Sequence, residues 1–174
     1  LVVRKTAAGM TTFGVGLVSD GAVSVGWSDD PRGAHGVAEF VDLPDGGLRG
    51  TWFAPGDRGV GREVLRGGVG GLGMYAITDA RDAAGVPYAG TCEIGVTGAL
   101  YLLTWRVRVP PRPDAPASAE TYRGLGIRNG GSLSVAYSTA PRASFGVTRY
   151  ELETAPSPGA TGAFSSSSTA VALR

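Results

Sequence analysis

The chain contains an internal repeat, and this repeat limits the folds that it can adopt. The stretch GVGLVSDGAVSVGWS, residues 14–28, returns 110 residues later as GLGIRNGGSLSVAYS, residues 124–138. From position 14 to position 42 the copies align without a gap, and ten positions are identical, including Ser24 with Ser134. Trp27 meets Tyr137, another large aromatic residue. The pattern indicates one ancestral unit present twice, so any structure formed by the unit should occur twice in the chain.

Each copy has the pattern of a β-hairpin. In AVSVGWS, the residues Val23, Val25 and Trp27 alternate with small residues, which places them on one face of a strand. The tripeptides SDG and NGG precede the equivalent strands of the two copies, and Gly and Asn favour tight turns. Because no segment carries a helical period over a dozen residues, we expect an all-β protein.

Closure of the sheet follows from its edges. A long antiparallel meander would leave exposed edge strands, and closing the sheet removes them. We therefore predict an antiparallel up-and-down β-barrel, avidin/lipocalin-like in form, built from an internal duplication. Residues 1–174 form one domain in this prediction, with repeat units at 1–55 and 88–174 and a joining segment at 56–87. The last strand of the first unit, LRGTWF, is expected to recur at 160–165. Two stretches are expected to be irregular: the proline-rich residues 108–120, as a surface excursion or a lid, and residues 56–68, as part of the join between the copies.

Composition excludes several classes of protein. The formal net charge is +1, which gives no general footprint for nucleic acid. Cys92 and His35 are the only residues of their kinds, so neither a disulfide nor a multi-ligand metal site is expected, and no cofactor is predicted. No apolar run is long enough for a membrane span, and the first residues lack a signal peptide's apolar core. We expect a soluble domain, and localisation stays open between cytoplasm and secretion.

One candidate site is a charged pair at equivalent positions of the copies. Glu39 and Arg149 lie 110 residues apart, and each shares a strand face with a neighbouring valine. If that face is interior, an ion pair near a pseudo-twofold axis would satisfy both charges and could orient the polar end of an apolar ligand. The alternative is that this face is exposed, with Phe40 and Tyr150 inward.

Aromatic residues supply the candidate wall of a ligand pocket. The predicted ligand-binding residues are Trp27, Trp52, Tyr75, Trp105 and Tyr137. The alternative interpretation places them in an ordinary packed core.

The repeat also suggests a basic rim, a positively charged surface formed by one arginine from each copy. Pro31-Arg32 and Pro141-Arg142 recur in the loops that precede equivalent strands, so both arginines should emerge at comparable positions. Such a rim would favour an acidic ligand, whereas turn geometry alone explains the prolines.

The motifs YRGLGI, SLSVAYS and FGVTRYEL resemble those of a group of small bacterial repeat proteins often labelled fibronectin-binding or avidin-like. LRGTWF also contains the Gly-x-Trp element of the avidin and lipocalin barrels. The resemblance implies a calycin-like barrel with an interior ligand site, and it brings no matched catalytic motif.

Three functions fit these features. The first is binding of a hydrophobic small molecule inside a barrel cavity. The second is a cofactor-independent cyclase or isomerase that shapes a flexible secondary-metabolite substrate in the same cavity. The third is a surface module for protein–protein interaction. An apolar small molecule is the expected partner, and a homo-oligomer is compatible with the sequence.

Overall fold

The computed structural model describes residues 2–7, 10–19, 21–28, 35–111, 116–139, 145–151 and 169–173. These residues form thirteen strands. The strands are β1 (Val2–Ala7), β2 (Met10–Ser19), β3 (Ala22–Ser28), β4 (His35–Asp42), β5 (Leu48–Phe53), β6 (Gly61–Val69), β7 (Leu72–Arg81), β8 (Pro87–Thr97), β9 (Leu100–Val109), β10 (Ser118–Asn129), β11 (Ser132–Ser138), β12 (Phe145–Glu151) and β13 (Thr169–Leu173).

Eight of these strands close a barrel. From β4 to β11 each strand pairs antiparallel with the next one along the chain, and β11 then pairs with β4. The closed up-and-down barrel confirms the predicted fold class, and it agrees with a calycin-like barrel. None of the described residues forms a helix that could span a membrane.

The other strands form a separate five-stranded sheet in the order β1-β2-β3-β12-β13. The expectation that the two copies together form one closed barrel is therefore wrong, because β2, β3 and β12 belong to this second sheet and the barrel consists of β4 to β11. This second sheet packs on the outside of the barrel, where β2, β3 and β12 contact β4, β5, β10 and β11.

The two copies of the repeated text take equivalent places in the two sheets. Gly14 pairs with Trp27 across β2 and β3, and 110 residues later Gly124 pairs with Tyr137 across β10 and β11. The hairpin β10–β11 joins β4, whereas β2–β3 joins β12. Each hairpin thus pairs with the third strand of the other copy; the duplication that would explain this symmetry stays a prediction.

The segment expected to join the copies contains two strands of the barrel, β6 and β7. The irregular stretch predicted for residues 56–68 is wrong from Gly61 onward, because β6 begins there and pairs with β5 and β7. The proline-rich excursion is shorter than predicted, since β9 runs to Val109 and β10 starts at Ser118. The residues 160–165, expected to repeat LRGTWF, lie outside the described residues, and β13 pairs with β12 instead.

The barrel interior is packed at one end. Strand alternation turns one face of each barrel strand inward, and the inward residues form a single buried cluster. Its largest members at the packed end, all less than 3% exposed, are Phe40, Leu48, Leu65, Tyr75, Ile94, Leu103 and Leu133. The opposite end is less completely filled, and the candidate site lies there.

Candidate functional site

A cavity of about 740 Å3 occupies the end of the barrel where β5, β7, β9 and β11 finish. Its wall combines the beginnings of β4, β6, β8 and β10 with the ends of β5, β9 and β11 and part of the loop after β7. Phe40 stacks against Trp105, with ring centroids 6.3 Å apart, where the cavity meets the packed end. Cavities of this size accommodate small organic molecules.

Two rings of the wall are seated on glycines of the neighbouring strand. Trp52 lies opposite Gly61 in the ladder, where an added Cβ would come within 2.1 Å of the indole. Tyr137 lies opposite Gly36, where a Cβ would come within 2.3 Å of the ring. Each glycine lets a large ring lie flat along the barrel wall, so the space in front of the rings stays open.

The rings form one aromatic cluster around Tyr137. Its ring is 6.5 Å from Trp52, 6.1 Å from Trp105 and 5.8 Å from Tyr122, in edge-to-face contacts with interplanar angles of 61° to 87°. Tyr88 lies edge-on to Trp52 at 6.3 Å. Such contacts fix ring orientation and contribute beyond simple area burial.

A buried carboxylate, Glu63, lies among these rings. Glu63 is 3% exposed, and both of its oxygens accept hydrogen bonds. The Trp105 Nε1–H donates to Oε1 at 3.0 Å, and the Tyr88 hydroxyl donates to Oε2 at 2.8 Å. The Trp52 Nε1–H donates in turn to the Tyr88 oxygen at 2.8 Å. An indole N–H can only donate, so both tryptophans act as donors here, Trp52 to Tyr88 and Trp105 to Glu63.

Burial and hydrogen bonding act in opposite directions on the charge of Glu63. Burial raises the pKa of Glu63 above its ordinary value of 4.5, and the hydrogen bonds from Tyr88 and Trp105 lower it in part. Burial and the nearby Glu63 carboxylate also raise the pKa of Tyr88 and of the Cys92 thiol. No ion pair to Glu63 is found in the described part of the chain.

Three further carboxylates line the mouth of the cavity. Asp82 accepts hydrogen bonds from the backbone N–H groups of Ala84 and Val86 at 2.9 and 2.8 Å, which stabilises the turn after β7. Asp57 faces the cavity from the loop after β5, and Glu120 accepts a hydrogen bond from the Tyr122 hydroxyl. The mouth is therefore acidic where the structure describes it.

The structure brings three of the predicted ligand-binding residues together. Trp52, Trp105 and Tyr137 all line the cavity. Tyr75 is fully buried in the packed end of the barrel, among the core residues rather than in the cavity wall. Trp27 lies half-buried on β3, between Gly14 and Gly146 of the second sheet, away from the cavity.

Glu39 and Arg149 form the predicted ion pair, but outside the cavity. The Arg149 Nη1 lies 2.6 Å from Glu39 Oε1, and the two side chains are 13% and 6% exposed. Ser24 and Ser134 lie beside this pair, with their hydroxyl oxygens 2.8 Å apart. Ser24 donates to Glu39, and Arg149 donates to Ser134. This crossed arrangement of equivalent residues lies where the second sheet meets the barrel, so it fastens the two sheets together.

The sequence interpretation missed Glu63, Tyr88 and Tyr122. A local signal existed for Glu63: in β6 it alternates with Arg62 and shares its parity with Leu65, the pattern of an inward residue. The glycines of the same segment are typical of a loop, so the sequence prediction contains no strand there. Nothing local marks Tyr88 or Tyr122, which reach the cavity only because β8 and β10 are members of the closed barrel.

No cluster of three His, Cys, Asp or Glu side chains suited to a metal ion occurs among the described residues. Comparisons with protein-family models, curated proteins and solved structures found no match. They lend no support to the fibronectin-binding or avidin-like group, so the barrel architecture alone agrees with that resemblance.

Proposed function

We propose that the protein binds a small organic molecule with an apolar body inside the barrel cavity. The observation that carries this proposal is the pairing of an aromatic wall with one buried polar group, Glu63, at a cavity of about 740 Å3. Pockets for small molecules combine apolar walls with a few well-placed polar groups in this way. A barrel devoted only to surface recognition would be expected to fill this end with side chains.

The first test is native mass spectrometry of the protein from the organism that makes it, compared with the denatured chain. An added mass that is lost on denaturation is the expected result. A matched pair of variants locates it: Val107→Phe places a ring in the cavity wall, whereas Val41→Phe makes the same change at a 41% exposed position of β4. Loss of the added mass in the first variant alone supports the cavity; loss in neither variant places the ligand elsewhere.

A second candidate function is catalysis of a cyclisation or isomerisation in the same cavity. The observation that favours it is the hydrogen bond from Tyr88 to Glu63, since a buried carboxyl with a raised pKa suits proton transfer. Such a reaction leaves the mass of the compound unchanged. The decisive measurement is therefore chromatography of the compound found by mass spectrometry, before and after its incubation with the protein. A new peak that forms with the wild-type protein but not with Glu63→Gln favours catalysis, and recovery of the unchanged compound favours binding alone.

A further inference from the structure

The charge of the cavity is one-sided in the part of the chain that the structure describes. Four acidic residues line it, namely Asp57, Glu63, Asp82 and Glu120, and no described lysine or arginine does. Arg62 in β6 and Arg106 in β9 are next in sequence to residues that line the cavity, but both side chains point outward and are exposed. The arginines of the predicted basic rim, Arg32 and Arg142, lie outside the described residues.

Glu63 is arranged as an acceptor on both oxygens. Trp105 can only donate, and the Tyr88 hydroxyl, which accepts from Trp52, donates to Glu63. Neutral donors satisfy the hydrogen-bonding capacity of a carboxylate in part, but they do not neutralise its charge. A buried charge without a counter-ion is unfavourable, and a cation placed beside it removes that disadvantage.

The walls beside Glu63 suit the same kind of ligand. The faces of aromatic rings attract organic cations, and cages of several aromatic rings bind quaternary ammonium groups. Trp52, Tyr88, Trp105 and Tyr137 surround this end of the cavity, and Tyr122 extends the cluster toward the mouth. The aromatic cluster and the carboxylate therefore favour the same charge on a ligand.

We infer that the ligand is an organic cation, with an ammonium group held beside Glu63 by the aromatic cluster and an apolar body extending toward the mouth of the cavity. This inference rests on the proposed binding function and gives its ligand a chemical class. The acidic mouth, with Asp57, Asp82 and Glu120, adds an attraction that draws a cation in and opposes the entry of anions.

The test compares three probes that share a hexanoyl ester and differ in the head group. Hexanoylcholine carries a trimethylammonium, neohexyl hexanoate is its neutral isostere, and hexanoyl glycolate carries a carboxylate. Isothermal titration calorimetry of the wild-type chain should show hexanoylcholine binding about tenfold or more tightly than the isostere, as cation–π and ion-pair contributions in a desolvated site imply. The carboxylate probe should bind most weakly.

Two variants assign the preference to the cavity. Glu63→Gln removes the buried charge and should reduce the advantage of hexanoylcholine to less than about threefold, because only the rings and the mouth carboxylates then favour a cation. Glu93→Gln makes the same chemical change on β8, where the side chain is 55% exposed and outside the cavity, and should leave the advantage intact. If Glu63→Gln fails to fold, as judged by circular dichroism, the ranking of probes by the wild-type chain decides.

The outcomes separate this inference from the proposed function. Equal affinity for the cation and its isostere overturns the inference and leaves small-molecule binding standing. Tightest binding of the carboxylate probe overturns it in favour of a basic rim and an acidic ligand. Failure of all three probes to bind, together with no added mass in the native protein, overturns both. An unchanged preference in Glu63→Gln also counts against the inference, since the carboxylate would then contribute nothing.

Discussion

Two tyrosines of the barrel interior should respond in opposite ways to the same substitution. The hydroxyl of Tyr75 is buried and has no hydrogen-bond partner among the residues that the structure describes, and its ring packs on Gly68 in the closed end of the barrel. The hydroxyl of Tyr88 accepts from Trp52 and donates to Glu63, at 2.8 Å in both cases. Replacing each tyrosine with phenylalanine removes a single oxygen and keeps the ring.

The expected magnitudes follow from the hydrogen bonds. A buried polar group without a partner costs about 1 to 3 kcal/mol, so Tyr75→Phe should increase the free energy of unfolding by about 1 kcal/mol. Tyr88→Phe leaves both the Trp52 N–H and a Glu63 oxygen without their partner, so it should lower the free energy of unfolding by about 2 kcal/mol or more. For a chain of this size these changes correspond to shifts in Tm of about 2 to 4 °C per kcal/mol, upward for the first variant and downward for the second.

The assay is thermal unfolding followed by circular dichroism, with urea unfolding as an independent measure of the free energy. Tyr137→Phe is an intermediate control, because its hydroxyl donates one long hydrogen bond, 3.3 Å, to the carbonyl of Phe53. Its effect should be a small loss of stability. A lower Tm for Tyr75→Phe, or no loss of stability for Tyr88→Phe, would refute the reasoning that hydrogen-bond partners decide the sign.

Three other predictions concern the sheet interface and the cavity. Arg149→Met should cost about 3 kcal/mol by leaving the Glu39 charge buried without its partner, whereas Glu39→Gln should cost less because Arg149 keeps its ion pair with Glu151. The double variant should cost clearly less than the sum of the two, and additive losses in urea unfolding would contradict a coupled pair. The folded-state pKa of Glu63 is raised by burial. The contribution of this group to the free energy of unfolding is therefore fully present below the ordinary pKa of 4.5 and is lost as the pH rises through the raised pKa. Glu63→Gln should abolish that loss, and parallel stability–pH curves for the two proteins would show the assignment to be wrong. Gly61→Ala should cost about 1 to 3 kcal/mol, because its Cβ would come within 2.1 Å of Trp52, and a wild-type Tm would count against that seating.

Local patterns predicted most of the strands. Three predicted strands, Ala22–Ser28, Leu48–Phe53 and Ser132–Ser138, agree with the structure at both ends, because alternation and a tight turn define them within a few residues. The strand β6 was missed because its glycines at 67 and 68 resemble a loop, although they lie in a strand with positive φ and an irregular register. One of them, Gly68, is also where the ring of Tyr75 fits, a contact that only the folded barrel reveals.

The candidate site was predicted only in part. Trp52, Trp105 and Tyr137 are inward residues by alternation, and the structure places all three at the cavity. Glu39 also follows the alternation, but its face is turned toward the second sheet, so its partner is Arg149 and not the cavity. Alternation assigns residues to two faces of a strand without saying which face is interior, and a barrel covered by a second sheet has two buried faces.

Local sequence patterns were enough to predict the class of fold and the pairing within each hairpin, because these depend on residues close together in the chain. The repeat left undetermined which third strand each hairpin joins: β3 and β11 offer nearly the same residues, so β4 and β12 are equivalent choices by local pattern. Long-range packing in the folded chain resolves this choice: β11 closes the barrel on β4, and β3 joins β12. Closure of the barrel also brings the residues of the candidate site together. Glu63 and Trp105 are 42 residues apart and meet only because β6 and β9 face each other across a closed barrel.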